Sequence, residues 1–158
     1  MMMALWRWSL WVGLVGSASA AGGEVPFPEG FRQWNHVKSM VIADGHPLVG
    51  AFGGVHHVYV NDVGLPALRS GGPLPDGTVL VFDLLEAPTA GGGTTEGARK
   101  LTATMVKNGA KYAATGGWGF EAFAGTGRDR VVTDGGAACF ACHQPQAGSD
   151  FVYTRWRD

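Results

Sequence analysis

Hydrophobic positions in this chain alternate more often than they recur at helical spacing. Residues 55–60 (Val-His-His-Val-Tyr-Val) are β-branched and aromatic and predict a strand. Residues 78–85 (Thr-Val-Leu-Val-Phe-Asp-Leu-Leu) predict a second, largely buried one. Residues 100–107 alternate and predict a third. Residues 118–124 alternate again, with Trp118, Phe120 and Ala122 on one face and Gly119, Glu121 and Phe123 on the other. A shorter strand is expected over residues 38–43, stopped by the turn signal Asp44-Gly45-His46-Pro47. Another is expected to start at Val131-Val132.

Helical signals are few. Residues 30–37, carrying Phe31 and Trp34, suit a short helix. Asn61-Asp62 can cap another that runs to Leu68 and Arg69. Residues 71–77 (Gly-Gly-Pro-Leu-Pro-Asp-Gly) force turns. Residues 88–97 are rich in Gly and Thr and allow a hairpin excursion or a mobile flap. Residues 137–144 are helix-compatible and stop at Pro145. Residues 21–29 read as an extended arm, and the aromatic tail over 151–156 is expected to pack back on the domain. No internal repeat is visible. The pattern predicts an α+β fold: a mainly antiparallel β-sheet domain with a few short helices.

Composition agrees with that picture. The chain has 158 residues, of which 26 are Gly and only 16% are charged. Such a balance suits short strands and turns better than a helical bundle. The length holds one domain with one core. The formal net charge of −1 leaves no electrostatic footprint for nucleic acid. No Lys/Arg cluster marks an anionic membrane surface.

The first residues read as a targeting segment. Arg7 and the amino terminus supply positive charge, residues 10–15 (Leu-Trp-Val-Gly-Leu-Val) are apolar, and Ser17-Ala18-Ser19-Ala20 offers small residues for cleavage. The apolar run is far short of the roughly 20 residues a spanning helix needs. The expectation is a signal peptide over residues 1–20, a single domain over 21–158, a periplasmic location and no stable membrane insertion. Export leads to an oxidising compartment, where disulfides persist. Yet the chain has only 2 cysteines, so their spacing must explain them.

That spacing is Cys139-Phe140-Ala141-Cys142-His143, the C-x-x-C-H attachment signature of a c-type haem. On a helical turn, residues three apart share a face, so both thiols reach the two vinyl groups along one porphyrin edge. His143 then projects its imidazole under the ring and coordinates iron. Three other readings compete. A thiol redox pair belongs near the start of a βαβ unit, and none is visible. A structural zinc site needs about four ligands, and no second Cys pair exists. A disulfide across three residues would add little to an open β domain. A carboxy-terminal C-x-x-C-H also occurs in four-helix bundles, but this sequence has too many turns and period-2 strands for one.

The sixth iron position decides function. Small electron carriers place the motif early and supply a later Met, whereas residues 144–158 contain none. Upstream candidates are Met40, Met105, His36, His46, His56 and His57. Met105 on an alternating strand reads as core filler. His56 and His57 point to opposite faces of one strand, so at most one faces the haem side. An open sixth site is the preferred reading.

Several segments together resemble the cytochrome P-460 family. They are Phe27-Pro28-Glu29-Gly30-Phe31-Arg32-Gln33-Trp34, Phe52 before the His-His-Val-Tyr strand, Pro75-Asp76-Gly77-Thr78-Val79, Gly117-Trp118-Gly119-Phe120 and the haem motif. The resemblance runs from about Phe27 to Trp156. It implies a mainly antiparallel β fold, usually homodimeric, with one covalent haem c held by Cys139, Cys142 and His143. A catalytic branch of the family oxidises hydroxylamine, using a Lys cross-linked to the porphyrin and a pocket carboxylate. The matching positions here are Phe82 and Ala103, and a Phe cannot form that cross-link. The chain is instead similar to the cytochrome c′-beta branch, whose distal pocket is capped by aromatic side chains at positions matching Phe52 and Phe82. Without the resemblance, each Phe reads as core packing. The implied function is binding of nitric oxide or carbon monoxide at five-coordinate iron, for scavenging, sensing or electron transfer with a redox partner protein. The alternatives are a hydroxylamine or nitric oxide oxidase and a six-coordinate electron carrier.

Overall fold

A computed structural model describes residues 24–157; the expected signal peptide over 1–20 lies outside the described residues. Five strands form one antiparallel sheet: β1 (Asn35–Ile42), β2 (Gly54–Val60), β3 (Val79–Leu85), β6 (Arg99–Lys107) and β7 (Trp118–Ala124), in the order β1-β2-β3-β6-β7. Between β3 and β6, β4 (Thr89–Ala90) and β5 (Gly93–Thr94) make a small hairpin. The Gly/Thr-rich segment is therefore the hairpin excursion. Three short helices complete the fold: α1 (Val49–Phe52), α2 (Leu65–Ser70) and α3 (Ala137–His143). The α+β expectation holds, because alternating residues build a sheet whose neighbouring strands also follow one another in the chain.

The sheet is covered on both faces. On one face Val58, Val60, Leu80, Trp118 and Phe120 pack with Leu68 of α2, Leu74 and Val152 of the tail. Phe151 and Trp156 join this cluster, so the aromatic tail does fold back. On the other face Tyr59 and Val81 pack with Phe31, Phe27 and Trp34 of the amino-terminal arm. That second face also buries Asp83 completely, held by Arg99 through Nε (2.5 Å) and NH2 (3.1 Å) and by Arg32 through NH1 (3.1 Å).

Local details depart from the sequence pattern. The helix expected over 30–37 is a single 3-10 turn, Phe31–Gln33, and β1 already starts at Asn35. Pairing with β2 overrides the weak helical preference, and a bulge between His36 and Lys38 absorbs the change of direction. Val131-Val132 is not a strand; one bridge joins Phe123 to Arg130, and Val131 N–H donates to Ala122 O at 3.0 Å. Residues 49–52 form a helix the pattern did not mark, and it carries Phe52.

Candidate functional site

The helix α3 sits against β7 because two glycines let it. Gly135 and Gly136 have φ of 67° and 89°, and a Cβ on Gly136 would lie 3.0 Å from Phe120 Cβ. Only a residue without a side chain reaches that close in that conformation. The Asp134 carboxylate then accepts hydrogen bonds from Gly136 N (3.0 Å) and Ala138 N (2.8 Å), satisfying donors at the helix start. Those backbone bonds hold its pKa below the usual value.

On this helix Cys139 is half-buried and Cys142 exposed, and no disulfide joins them. Burial, then the charge of Asp134, pushes the Cys139 thiol up. The helical segment places the two sulfurs one turn apart, as attachment to one porphyrin edge requires. Tyr153 O–H donates to Cys142 O at 2.7 Å and pins the last turn. The α-helix ends at His143, and a 3-10 segment, Gln144–Ser149, continues across Pro145. The α-helix thus stops before Pro145 as expected, and Pro is accommodated in the first turn of the 3-10 segment, where its missing N–H is not needed.

His143 packs against two rings, with centroids 5.2 Å from Phe120 and 5.2 Å from Tyr153. Its Nδ1 is 2.7 Å from Phe151 O. A carbonyl only accepts, so Nδ1 carries the proton and the Nε2 lone pair is left for a metal. Burial lowers the His143 pKa, and the bond to Phe151 opposes that in part. The ring is thus biased to the neutral form that ligation requires.

Phe82 lies across the same face. The registers align Val58, Phe82, Ala103 and Ala122 in one row over β2, β3, β6 and β7. Phe52, the last residue of α1, meets Phe82 edge-on with centroids 5.7 Å apart. His56 is on the same face, its ring 4.3 Å from that of Phe82. Ala103 on the inner strand β6 and Ala122 on the edge strand β7 are both only half-buried. Their small side chains leave the sheet face beside Phe82 partly exposed and apolar, a surface that suits a flat apolar group. A neutral imidazole with Nδ1 held by Phe151 O, two thiols on one turn and this half-buried apolar face fit a covalently held porphyrin.

The other candidate ligands are engaged elsewhere. His57 is on the opposite face from His56, with Nδ1 2.6 Å from Ser39 Oγ and Nε2 2.7 Å from Glu96 Oε1. His36 Nε2 meets the same Ser39 hydroxyl at 3.0 Å. His46 Nδ1 accepts from Leu48 N in the turn. Met40 is exposed on the edge strand, and Met105 packs against the core cluster. Among the described residues no three His, Cys, Asp or Glu side chains are grouped to hold a metal ion. Sequence reasoning missed the Phe151 carbonyl, because no side-chain signal marks a main-chain acceptor. It also missed how closely His56 and Phe82 associate, although strand alternation had put His56 on one face.

An antiparallel sheet that carries a C-x-x-C-H helix at its last strand defines a haem protein of the c-type cytochrome class. The chain belongs to the cytochrome P460 family, whose model matches residues 28–154. Membership implies a covalently attached haem c. Among curated proteins none matches the chain. Among the described residues no helix is long and apolar enough to cross a membrane.

Proposed function

We propose that this is an exported, periplasmic cytochrome with one haem c, attached through Cys139 and Cys142 and ligated by His143, that binds nitric oxide or carbon monoxide. A haem held by these residues would supply iron able to take up a diatomic ligand. Phe120 and Tyr153 pack against the His143 ring, and Phe151 O sets its tautomer. The carrying observation is the Phe52–Phe82 pair beside half-buried Ala103 and Ala122. Two rings without donors crowd bulky ligands and offer no hydrogen bond to bound dioxygen or water, which favours nitric oxide and carbon monoxide. A homodimer and a redox partner protein complete the proposal, since β1 leaves a sheet edge free to pair.

The oxidase alternative needs a Lys at the porphyrin. Phe82 and Ala103 are direct cross-strand partners, so neither position offers an amine or a carboxylate. The nearby amines on β6 are committed: Lys100 donates to Gly53 O at 2.7 Å, and Lys107 pairs with Asp150 at 2.5 Å. The test is mass spectrometry of the exported protein with absorption spectra of its ferrous form, with and without nitric oxide. One haem mass on the 139–143 peptide and a five-coordinate spectrum that changes with nitric oxide are expected. No haem mass, or a six-coordinate low-spin ferrous spectrum without added ligand, overturns the proposal.

A further inference from the structure

The carbonyl that holds His143 belongs to an unusual stretch of backbone. Asp150 and Phe151 have φ of 55° and 62°, the only non-glycine residues with positive φ among those described. For a Phe in particular this conformation is rare, so surrounding contacts must enforce it.

Those contacts converge on Asp150. Its Oδ1 pairs with Lys107 Nζ at 2.5 Å, and its Oδ2 accepts from Leu74 N at 3.0 Å. Its main-chain oxygen accepts from Trp118 Nε1 at 2.9 Å, and its own N–H donates to Ala147 O at 3.2 Å. Trp118 is fully buried, so that anchor is rigid. The next N–H, of Phe151, donates to Gln146 O at 2.8 Å. The Phe151 ring is seated against Gly116, where a Cβ would come within 2.6 Å of it. The corner is therefore tied to β6, β7, the loop before β3 and the segment after α3. What it leaves free to point elsewhere is the Phe151 carbonyl, 2.7 Å from His143 Nδ1.

We propose that Asp150 is a positioning residue for the axial histidine: its side chain locks the left-handed corner that aims Phe151 O at His143. This rests on the reading of His143 as the haem ligand. A fixed acceptor on Nδ1 sets the ring orientation and raises the basicity of Nε2, which favours ferric iron. Loosening the corner weakens that bond and raises the reduction potential.

The experiment compares Asp150→Ala, Asp150→Gly and Asp150→Asn holoproteins with the parent. The readouts are midpoint potential, the iron–histidine stretching band of the ferrous form by resonance Raman, and thermal stability. Asn tolerates the left-handed conformation and keeps an acceptor for Leu74 N. It is expected to leave potential and band near those of the parent. Gly keeps the backbone freedom but loses both side-chain anchors, and Ala loses those anchors and the freedom too; both are expected to shift the potential up and the band to lower frequency. If Ala does not accumulate, Gly carries the comparison. A lowered melting temperature in Gly with potential and band unmoved assigns Asp150 a purely structural role and overturns the inference. A shift in Asn as large as that in Gly assigns the effect to the carboxylate charge and overturns it too. A parent protein without an iron–histidine band overturns the haem-ligand reading itself, and the inference with it.

Discussion

The imidazole of His56 lies against the ring of Phe82, with centroids 4.3 Å apart and planes tilted by 31°. His56 is only 4% exposed, and its Nδ1 has no hydrogen-bond partner. A protonated ring there would be poorly solvated. Burial first, then the charges of Lys38 and His57, lower its pKa from 6.5 to about 4. In the folded protein His56 is thus a neutral support for the aromatic cap.

That support makes stability depend on pH. Between pH 4 and 6.5 the unfolded chain binds a proton at His56 that the folded chain does not. Stability therefore rises with pH through this window and is lost as pH falls through it, by roughly 3 kcal/mol in total. Urea unfolding of the parent at pH 4.5 and pH 7 is expected to show this difference. His56→Leu, which cannot titrate, is expected to show a smaller one. An equal slope in both proteins would place the titration elsewhere.

The second face makes a different demand. Asp83 is 0% exposed and depends on two arginines of unequal burial, Arg99 at 18% side-chain exposure and Arg32 at 49%. The Arg99→Met substitution leaves a buried carboxylate with one half-exposed partner. It is expected to destabilise by about 3 kcal/mol, the low end for breaking a buried pair. The Arg32→Met change removes a solvent-screened contact and is expected to stay within about 1 kcal/mol. Chemical denaturation midpoints of the two variants decide between them.

The contrast between these faces explains what could be read in advance. A β-branched, aromatic run marked β2 and a largely apolar run marked β3, while β6 and β7 were marked by period-2 alternation, in which successive side chains face different surroundings. The same alternation of faces separated His56 from His57. The start of β1 was not legible, since Asn35 and His36 are strand residues only by virtue of pairing with Val60 and Tyr59. α1 was not legible either, because a helix of four residues carries no period. At the site, the thiols and His143 announce themselves by spacing. The orientation of His143 does not, because a main-chain oxygen of Phe151 sets it and two non-glycine residues adopt φ values that sequence does not advertise.

Phe82 is the cap residue whose removal should be most visible in ligand binding. It is half-buried between Phe52 and His56. The Phe82→Ala substitution is expected to lower stability by about 2 kcal/mol, less than the ~3–5 kcal/mol typical of a fully buried ring. It should also admit bulky ligands. Titration of the ferric holoprotein with imidazole is expected to show affinity increased at least about tenfold, equivalent to ~1.4 kcal/mol. Unchanged imidazole affinity would mean that Phe82 is core packing and does not face the iron.

The hinge between α1 and β2 ties the cap to the sheet, and Gly54 is its tightest point. Gly54 has φ of 131°, and a Cβ there would lie 2.1 Å from Leu85 O. Leu85 is the β3 partner of Val55, so relieving that clash must separate β2 from β3 at the end that carries Phe52. Backbone oxygen cannot move aside as a flexible side chain can. Gly54→Ala is therefore expected to cost about 3 kcal/mol, at the upper end of ordinary substitutions. Because it also displaces Phe52 from Phe82, imidazole affinity should rise as in Phe82→Ala. Gly50 lies in the same short helix, with nothing within 4 Å of an added Cβ. Gly50→Ala is expected to stay within about 0.5 kcal/mol and to leave imidazole binding as it was. Thermal melts and ligand titrations of this pair separate the effect of the close approach from that of losing a glycine.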